Sequence, residues 1–310
     1  MKYDLYSEFL TILVETLIQM DTSWEYVVYS NNKLDLSFTE KSKNVVVSET
    51  VWSLEEQMSL NNTFENEKFT LMVFFSHEKP IFYKKNFIVF IPSLLELFFT
   101  TNSFFWKFKY NFLMNSSLKS CKKVICFEQN TQLELNERLN IKEEMIEILE
   151  PFFLTDYRYE IAETVKIDVK AKYNLKSDYF IYDWENKANS NLSKLLKALI
   201  ALKKNWIYVN LLMLSEETNS DIELREEVIS YNVQDRVFFI WDINKSEEEF
   251  YYKQSIWVIY PSIYDSFPFR LSKAIRYDIP IIASNIPAIK KYIWDDIISF
   301  NPLSVTDLIH

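Results

Sequence analysis

Runs of apolar residues alternate with amphipathic stretches along most of the chain, most regularly in its second half. DYFIYD at 178–183 reads as a short buried strand. NLSKLLKALIALKKN at 191–205 follows, with Leu192, Leu195, Leu196, Leu199 and Leu202 at helical spacing, so one apolar stripe forms. Asn191 stands where an N-cap is expected, and the closing lysines suit the helix C-terminus. The pattern then predicts a strand at 206–214, a helix at 220–230 and a strand at 236–240. It continues with a helix at 246–254, a strand at 255–261, a helix at 270–277, a strand at 279–284, a helix at 287–293 opened by Pro287, and a last strand at 297–300. These strands are continuous apolar runs, which indicates burial on both faces and a doubly wound parallel α/β domain. Ligands in such sheets bind at the carboxyl ends of the strands, so the loops after residues 183, 214, 240 and 261 are the places to look.

The first half has a looser version of the same rhythm. A helix is expected at 4–19, strands at 25–29, 69–75 and 86–91, then apolar helical segments to about residue 116. A strand at 122–127, a helix at 131–139 and the segment 147–153 complete it. The expected organisation is a domain over 1–153, a linker over 154–176 and a second domain over 177–310. The most apolar segment, residues 86–106, is long enough to suggest a membrane span. Pro92, Glu96 and Asn102 interrupt it, and a strand followed by a helix accounts for it better, while its aromatic content suits peripheral membrane contact. The opening segment carries Glu8 and Glu15 inside its apolar stretch, unlike a secretory leader.

Composition changes the picture in two ways. The 310 residues carry 34 Lys and Arg against 44 Asp and Glu, a net charge of −10. That balance argues against a nucleic-acid footprint and against electrostatic adhesion to anionic lipid. Second, there is no glycine. Average usage would supply about 22 in a chain of this length. Every glycine-dependent phosphate loop is therefore excluded, and turns must use Asn, Asp, Ser and Pro, for which Asn31-Asn32, Asn61-Asn62 and Asn219-Ser220 are candidates. Cys121 and Cys126 make no disulfide framework and too few ligands for zinc, which fits a reducing cytoplasm. The aromatic residues, 17% of the chain, read as core filling. Glu247, Glu248 and Glu249 read as a solvated helix start and not a metal site. His77 follows the strand at 69–75, near a strand end. No metal or cofactor site is expected.

Four stretches of the second half, YDWENKANSNLSKLLKAL, VQDRVFFIWDINKSEEEFYYKQSIWVIYPSIYDSF, FPFRLSKAIRYDIPIIASNIPAIKKYI and DDIISFNPLSVTDL, resemble the donor domain of family-4 (group 1) retaining glycosyltransferases. In the first half, VETLIQMDTSWEYVVYS and CKKVICFEQNTQLELNERLNIKEEMIEILEP resemble the acceptor domain of that family. The resemblance implies a GT-B fold of two Rossmann-like domains and a cleft that holds a nucleotide-sugar. A hexosyl group would pass from it to a hydroxyl of a glycan or lipid-linked acceptor, with retention and without an essential metal. The family places an acid near the sugar, which corresponds to Asp265, and eight residues later a second acid on the ribose, where this chain has Lys273. A lysine donates to a ribose oxygen but cannot accept from its hydroxyls. The small backbone positions between them are Ser266 and Pro268 here, beside Phe267 and Phe269, and proline removes one amide donor. The basic pair of the family falls on Glu185 and Ser190, with Lys187 between them as the nearest cation. Trp184, Trp241 and Trp294 stand at glycine positions of the family, and Glu150-Pro151-Phe152 replaces a glycine turn. Measured against the family, the chain begins at a helix that follows the first strand and stops before the final helices. That predicts apolar surface for a partner protein to cover. Two activities fit this pattern: hexosyl transfer in polysaccharide biosynthesis, or a catalytically inactive relative acting as a binding or partner subunit.

Overall fold

A computed structural model describes residues 5–21, 23–30, 42–46, 53–77, 79–95, 97, 104–152, 167–183, 189–215, 221–241, 243, 245–293 and 297–309. The chain divides into two compact units, Met1–Pro151 and Phe152–His310.

The first unit contains helix α1 (Leu5–Met20), strands β1 (Tyr26–Ser30) and β2 (Ser42–Val46), helix α2 (Leu54–Glu65) and strands β3 (Met72–Phe74) and β4 (Phe87–Phe90). Helix α3 (Phe104–Ser120), strand β5 (Lys123–Cys126), helix α4 (Gln129–Leu139) and strand β6 (Ile146–Ile148) follow. Strands β3 to β6 form a parallel sheet in sequence order, and β1 and β2 pair in parallel separately. Val89, Val124 and Leu135 are wholly buried in this unit's core, with Leu94, Met114 and Leu118 packed around them. No helix among the described residues is long and apolar enough to cross a membrane. Residues 86–106 begin with β4 and lead toward α3, as the strand-then-helix reading requires.

Helix α5 (Val169–Lys172) opens the described part of the second unit, and Val169 is buried in that unit's core, so this segment packs as part of the fold. Then come β7 (Tyr179–Asp183), α6 (Leu192–Lys204), β8 (Asn210–Ser215), α7 (Asp221–Ser230), β9 (Val237–Trp241), α8 (Lys245–Lys253), β10 (Trp257–Tyr260), α9 (Leu271–Arg276), β11 (Ile281–Ser284), α10 (Pro287–Tyr292), β12 (Ile298–Phe300) and α11 (Val305–Ile309). The sheet order is β12-β11-β10-β7-β8-β9, all parallel. One core lies on each face, as continuous apolar strands demand. Helix α6 buries Leu192, Leu195, Leu196, Ala198 and Leu199, its predicted stripe, against one face.

The absence of glycine is met at the helix ends. Asn140, Asn174, Trp206, Asn232 and Asp278 all have positive φ, between 51° and 60°, directly after α4 or close after α5, α6, α7 and α9. In each case the next residue is aliphatic. Ile141, Leu175, Ile207, Val233 and Ile279 donate their amides back into the last helical turn. After α5, α6, α7 and α9 this is the Schellman closure, normally made by glycine because a Cβ is strained in the left-handed region, and after α4 the amide reaches one residue further back. Asn and Asp tolerate that region best. The expected turn pairs are elsewhere: Asn61 and Asn62 lie inside α2, while 31–32 and 219–220 fall outside the described residues. Asn191 also differs from expectation. It has φ 56° and makes no N-cap bond; its amide instead donates to the carbonyls of Pro261 (3.0 Å) and Pro302 (2.8 Å). The strand expected at 206–214 starts only at Asn210, because Trp206 is spent on the helix stop and is 88% exposed. Trp206→Gly should therefore stabilise the protein by about 1 kcal/mol, since it relieves the left-handed strain and gives up little burial. Urea denaturation of the two proteins measures this, and an unchanged midpoint would refute it.

His77 lies after β3 and packs its ring on Tyr110 at 4.3 Å. Its Nε2 is buried without a partner, and burial pushes its pKa down to about 4. Between pH 6.5 and 4 the unfolded chain therefore binds a proton that the folded one refuses. Stability falls as the pH falls through that window. His77→Phe should reduce this acid loss by on the order of 2–3 kcal/mol while it keeps the ring contact. Denaturation curves at pH 7 and pH 4 give the difference. Nearby, the buried Lys79 ammonium donates to the carbonyls of Pro80, Ile81 and Tyr83, and so pins this loop without glycine.

Candidate functional site

The second unit's sheet has its switch point between β7 and β10. From β7 the chain proceeds outward through β8 and β9, then returns to lay β10 on the other side of β7. The loops that leave β7 and β10 therefore diverge, and their carboxyl ends frame the crevice where this architecture binds ligands.

Strand β10 ends at Tyr260 because Pro261 cannot donate to the ladder. The turn that follows is tied to the β7 loop by Asn189, which is buried. Its amide nitrogen donates to Ser262 Oγ (3.0 Å) and to the Tyr264 carbonyl (2.7 Å), and its own carbonyl accepts from the Ile263 amide (3.0 Å). This turn brings Asp265 back over the strand end, where the Tyr260 hydroxyl donates to Asp265 Oδ2. Burial, and then the Asp265 charge, hold the Tyr260 phenol well above its ordinary pKa, so it stays a donor. Beyond Asp265, Ser266 is buried and Phe267 is locked by its ring contacts with Phe269 (4.6 Å) and Tyr292 (4.8 Å). The amides of Phe269, Leu271 and Ser272 donate to the carbonyls of Phe267, Pro268 and Phe269, within the turn that starts α9.

A charge cluster lies at the end of β7. Asp183 is 8% exposed and accepts from the Arg270 guanidinium. The Tyr252 hydroxyl donates to its other oxygen at 3.0 Å, and Lys273 Nζ stands 3.4 Å from that oxygen. Lys273 also pairs with Glu248 at 2.8 Å, and Tyr277 donates to Glu248 at 3.4 Å. Burial pushes the Asp183 carboxyl up, but Lys273, Arg270 and Tyr252 pull it further down, and it ends below the ordinary carboxylate range. Burial lowers the Lys273 ammonium, yet Asp183 and Glu248 outweigh this and raise it. Two acids and two bases thus close an internal neutral group beneath the strand ends.

The structure brings Asp265, Ser266, Phe267, Phe269 and Lys273 onto the one loop and helix that follow β10. Ser190 sits on the β7 side, where its carbonyl accepts from the Tyr182 hydroxyl at 2.9 Å. Lys187 lies outside the described residues, as do Trp184, Glu185 and Trp294. The acidic run on α8 is not a solvated helix start: Glu247 pairs with Lys172, Glu248 with Lys273 and Glu249 with Lys253. Sequence reasoning passed over Asp183, Asn189, Arg270 and Tyr260. Asp183 had a readable signal, a lone charge that closes the apolar run YFIYD. Its cationic partners are 87 and 90 residues away, which no local pattern joins.

Comparison with known proteins agrees with this fold. Residues 166–308 match the model of the glycosyl transferases group 1. The O-antigen chain mannosyltransferase RfbU of Salmonella typhimurium (strain LT2) is 24% identical over 206 residues, 66% of this chain and 54% of that protein. The match thus spans about half the length of that curated relative. Among solved structures, the sucrose-phosphate synthase of Thermosynechococcus elongatus superposes with a TM-score of 0.71 at 14% identity, over 96% of this chain and 82% of that one. Anabaena HepE in complex with UDP-glucose superposes with a TM-score of 0.67 at 10% identity, over 92% and 87%. Residues 166–308 thus resemble the group 1 glycosyltransferases, and the two α/β units have the GT-B fold of the solved neighbours.

Proposed function

We propose that this protein transfers a hexosyl group from a nucleotide-sugar to a hydroxyl of a glycan or lipid-linked acceptor during polysaccharide synthesis. The observation that carries this reading is Asp265, a half-buried carboxylate held over the end of β10 at the switch point. In the reaction, the bond from the sugar's anomeric carbon to the diphosphate oxygen breaks and a bond to the acceptor oxygen forms. The acceptor's proton passes to the leaving diphosphate oxygen, and the nucleoside diphosphate departs. Asp265 lies beside the sugar and stabilises the positive charge that develops there. The leaving diphosphate needs cations. Arg270 and Lys273 at α9 are such groups, as is Lys187 in the sequence after β7, and the Ser190 hydroxyl is a neutral donor. Ser266, Phe267 and Phe269 shape the backbone around the donor. The donor is a substrate, and the reaction needs no resident cofactor. Similarity to a mannosyltransferase, and the UDP-glucose held by HepE, support a nucleotide-sugar donor. We place the reaction in the cytoplasm, in peripheral contact with a membrane where the acceptor is lipid-linked.

One observation favours the alternative of a non-catalytic binding or partner subunit. Lys273, at the position of the family's second acid, is already committed to Asp183 and Glu248. Calorimetric titration with UDP, GDP and their sugars separates the two readings. Donor binding followed by product formation with a hydroxyl acceptor is expected. No heat with any of these ligands at millimolar concentration would rule out the transferase.

A further inference from the structure

We propose that Tyr260 is a positioning residue for Asp265, fixing the carboxylate through its hydroxyl. The proposal rests on the reading of Asp265 as the acid beside the donor sugar. It starts from how the loop is held. The Asn191 amide grips the Pro261 carbonyl (3.0 Å), and Asn189 ties residues 262–264 to the β7 loop. These bonds hold the backbone of the turn, but they do not set the direction of the Asp265 side chain. The Tyr260 hydroxyl does so, by donating to Asp265 Oδ2 across five residues.

Tyr260 itself has little freedom. It is the last residue of β10, in register with Ala283 of β11, and it is 7% exposed among the buried side chains of the second unit. A phenol anchored in a sheet is a rigid donor, and its bond to a carboxylate is charge-assisted. Such a bond favours the ionised acid and selects one rotamer of it. In a glycine-free loop this supplies from a side chain the precision that a tight backbone turn supplies elsewhere. The charged and titratable groups facing the phenol are Asp265, Arg270 and Tyr182. Tyr182 is already bonded to the Ser190 carbonyl, and Arg270 to Asp183.

The test is Tyr260→Phe, which keeps the ring and removes only the hydroxyl. Transfer rates across pH, donor KM and the melting temperature are measured on the variant and on the wild type. The expected result is a kcat lower by about 10- to 100-fold, the range for loss of a hydrogen bond to a charged group, with donor KM within about threefold. The acidic limb of the kcat profile moves to higher pH, because Asp265 loses a donor that favours its charged form. A wild type that binds and transfers sugar, beside a variant that matches it in rate and profile, would overturn the positioning role alone. A variant that melts early but still transfers sugar, with its acidic limb unmoved, assigns the hydroxyl to the core and also overturns it. A wild type that binds no donor removes the transferase reading, and this proposal with it.

Discussion

Asp183→Asn is expected to destabilise the protein by about 3–5 kcal/mol, the cost of removing one partner from a buried charge cluster. The Asp183 carboxylate faces Arg270, Lys273 and the Tyr252 hydroxyl, and it is 8% exposed. Asparagine occupies the same volume, so the loss comes from charge and not from a cavity. Lys273 then keeps Glu248, while both Arg270 and Lys273 lose the Asp183 charge, and the cluster gains a positive excess. Its pH dependence has a definite sign. The folded-state pKa of Asp183 is depressed, so its contribution is fully present above the ordinary carboxylate pKa of 3.8 and is lost as the pH falls through its lower folded value. Urea denaturation of both proteins at pH 7 and at successively lower pH measures this. The gap between them should narrow in acid. A difference under about 1 kcal/mol at pH 7 would show instead a solvated surface pair.

Asp265→Asn should lower the transfer rate by about 100- to 1,000-fold, the usual cost of removing one preorganised electrostatic group at the reacting centre. Donor affinity should change far less, since the charge matters most when positive charge builds up on the sugar. The Asn oxygen still accepts from Tyr260, so the turn and the melting temperature should stay as they are. Single-turnover assays and donor titration on the same preparation separate rate from binding. A rate within tenfold of the wild type would make Asp265 a turn residue.

The two substitutions act at the ends of adjacent parallel strands, β7 and β10, and their different outcomes follow from different surroundings. Asp183 is enclosed by protein cations, so its effect is on stability. Asp265 is half-buried on a loop at the crevice, so the effect expected there is on chemistry. This also bears on Lys273. At that position a lysine cannot accept from a ribose hydroxyl, and the structure shows what it does instead: it bridges Asp183 to Glu248 and ties α9 to β7 and α8.

The strand and helix order of the second unit was legible along the chain, because apolar runs and a leucine stripe depend only on neighbours a few residues apart. Asp265 was singled out too, from its place in a family-like stretch, and the structure sets it on the turn after β10. The lack of glycine was plain, and it excluded phosphate loops before any coordinates were needed. Where the left-handed residues would fall was not plain. Five helix stops use Asn, Asp or Trp followed by an aliphatic residue, but Asn61-Asn62, with equal local propensity, sits inside a helix. A left-handed residue is tolerated only where the apolar residue after it can pack, and that depends on the helix's place in the fold. In the same way Asn191 reads as a cap, yet the carbonyls it holds belong to Pro261 and Pro302, 70 and 111 residues away. Local pattern alone thus determined the α/β class, and the family-like stretch singled out Asp265. The tertiary structure decided which charges are internal, which side chains hold the loop and which hydroxyl orients the acid, because each of these pairs meets only when the sheet brings distant strand ends together.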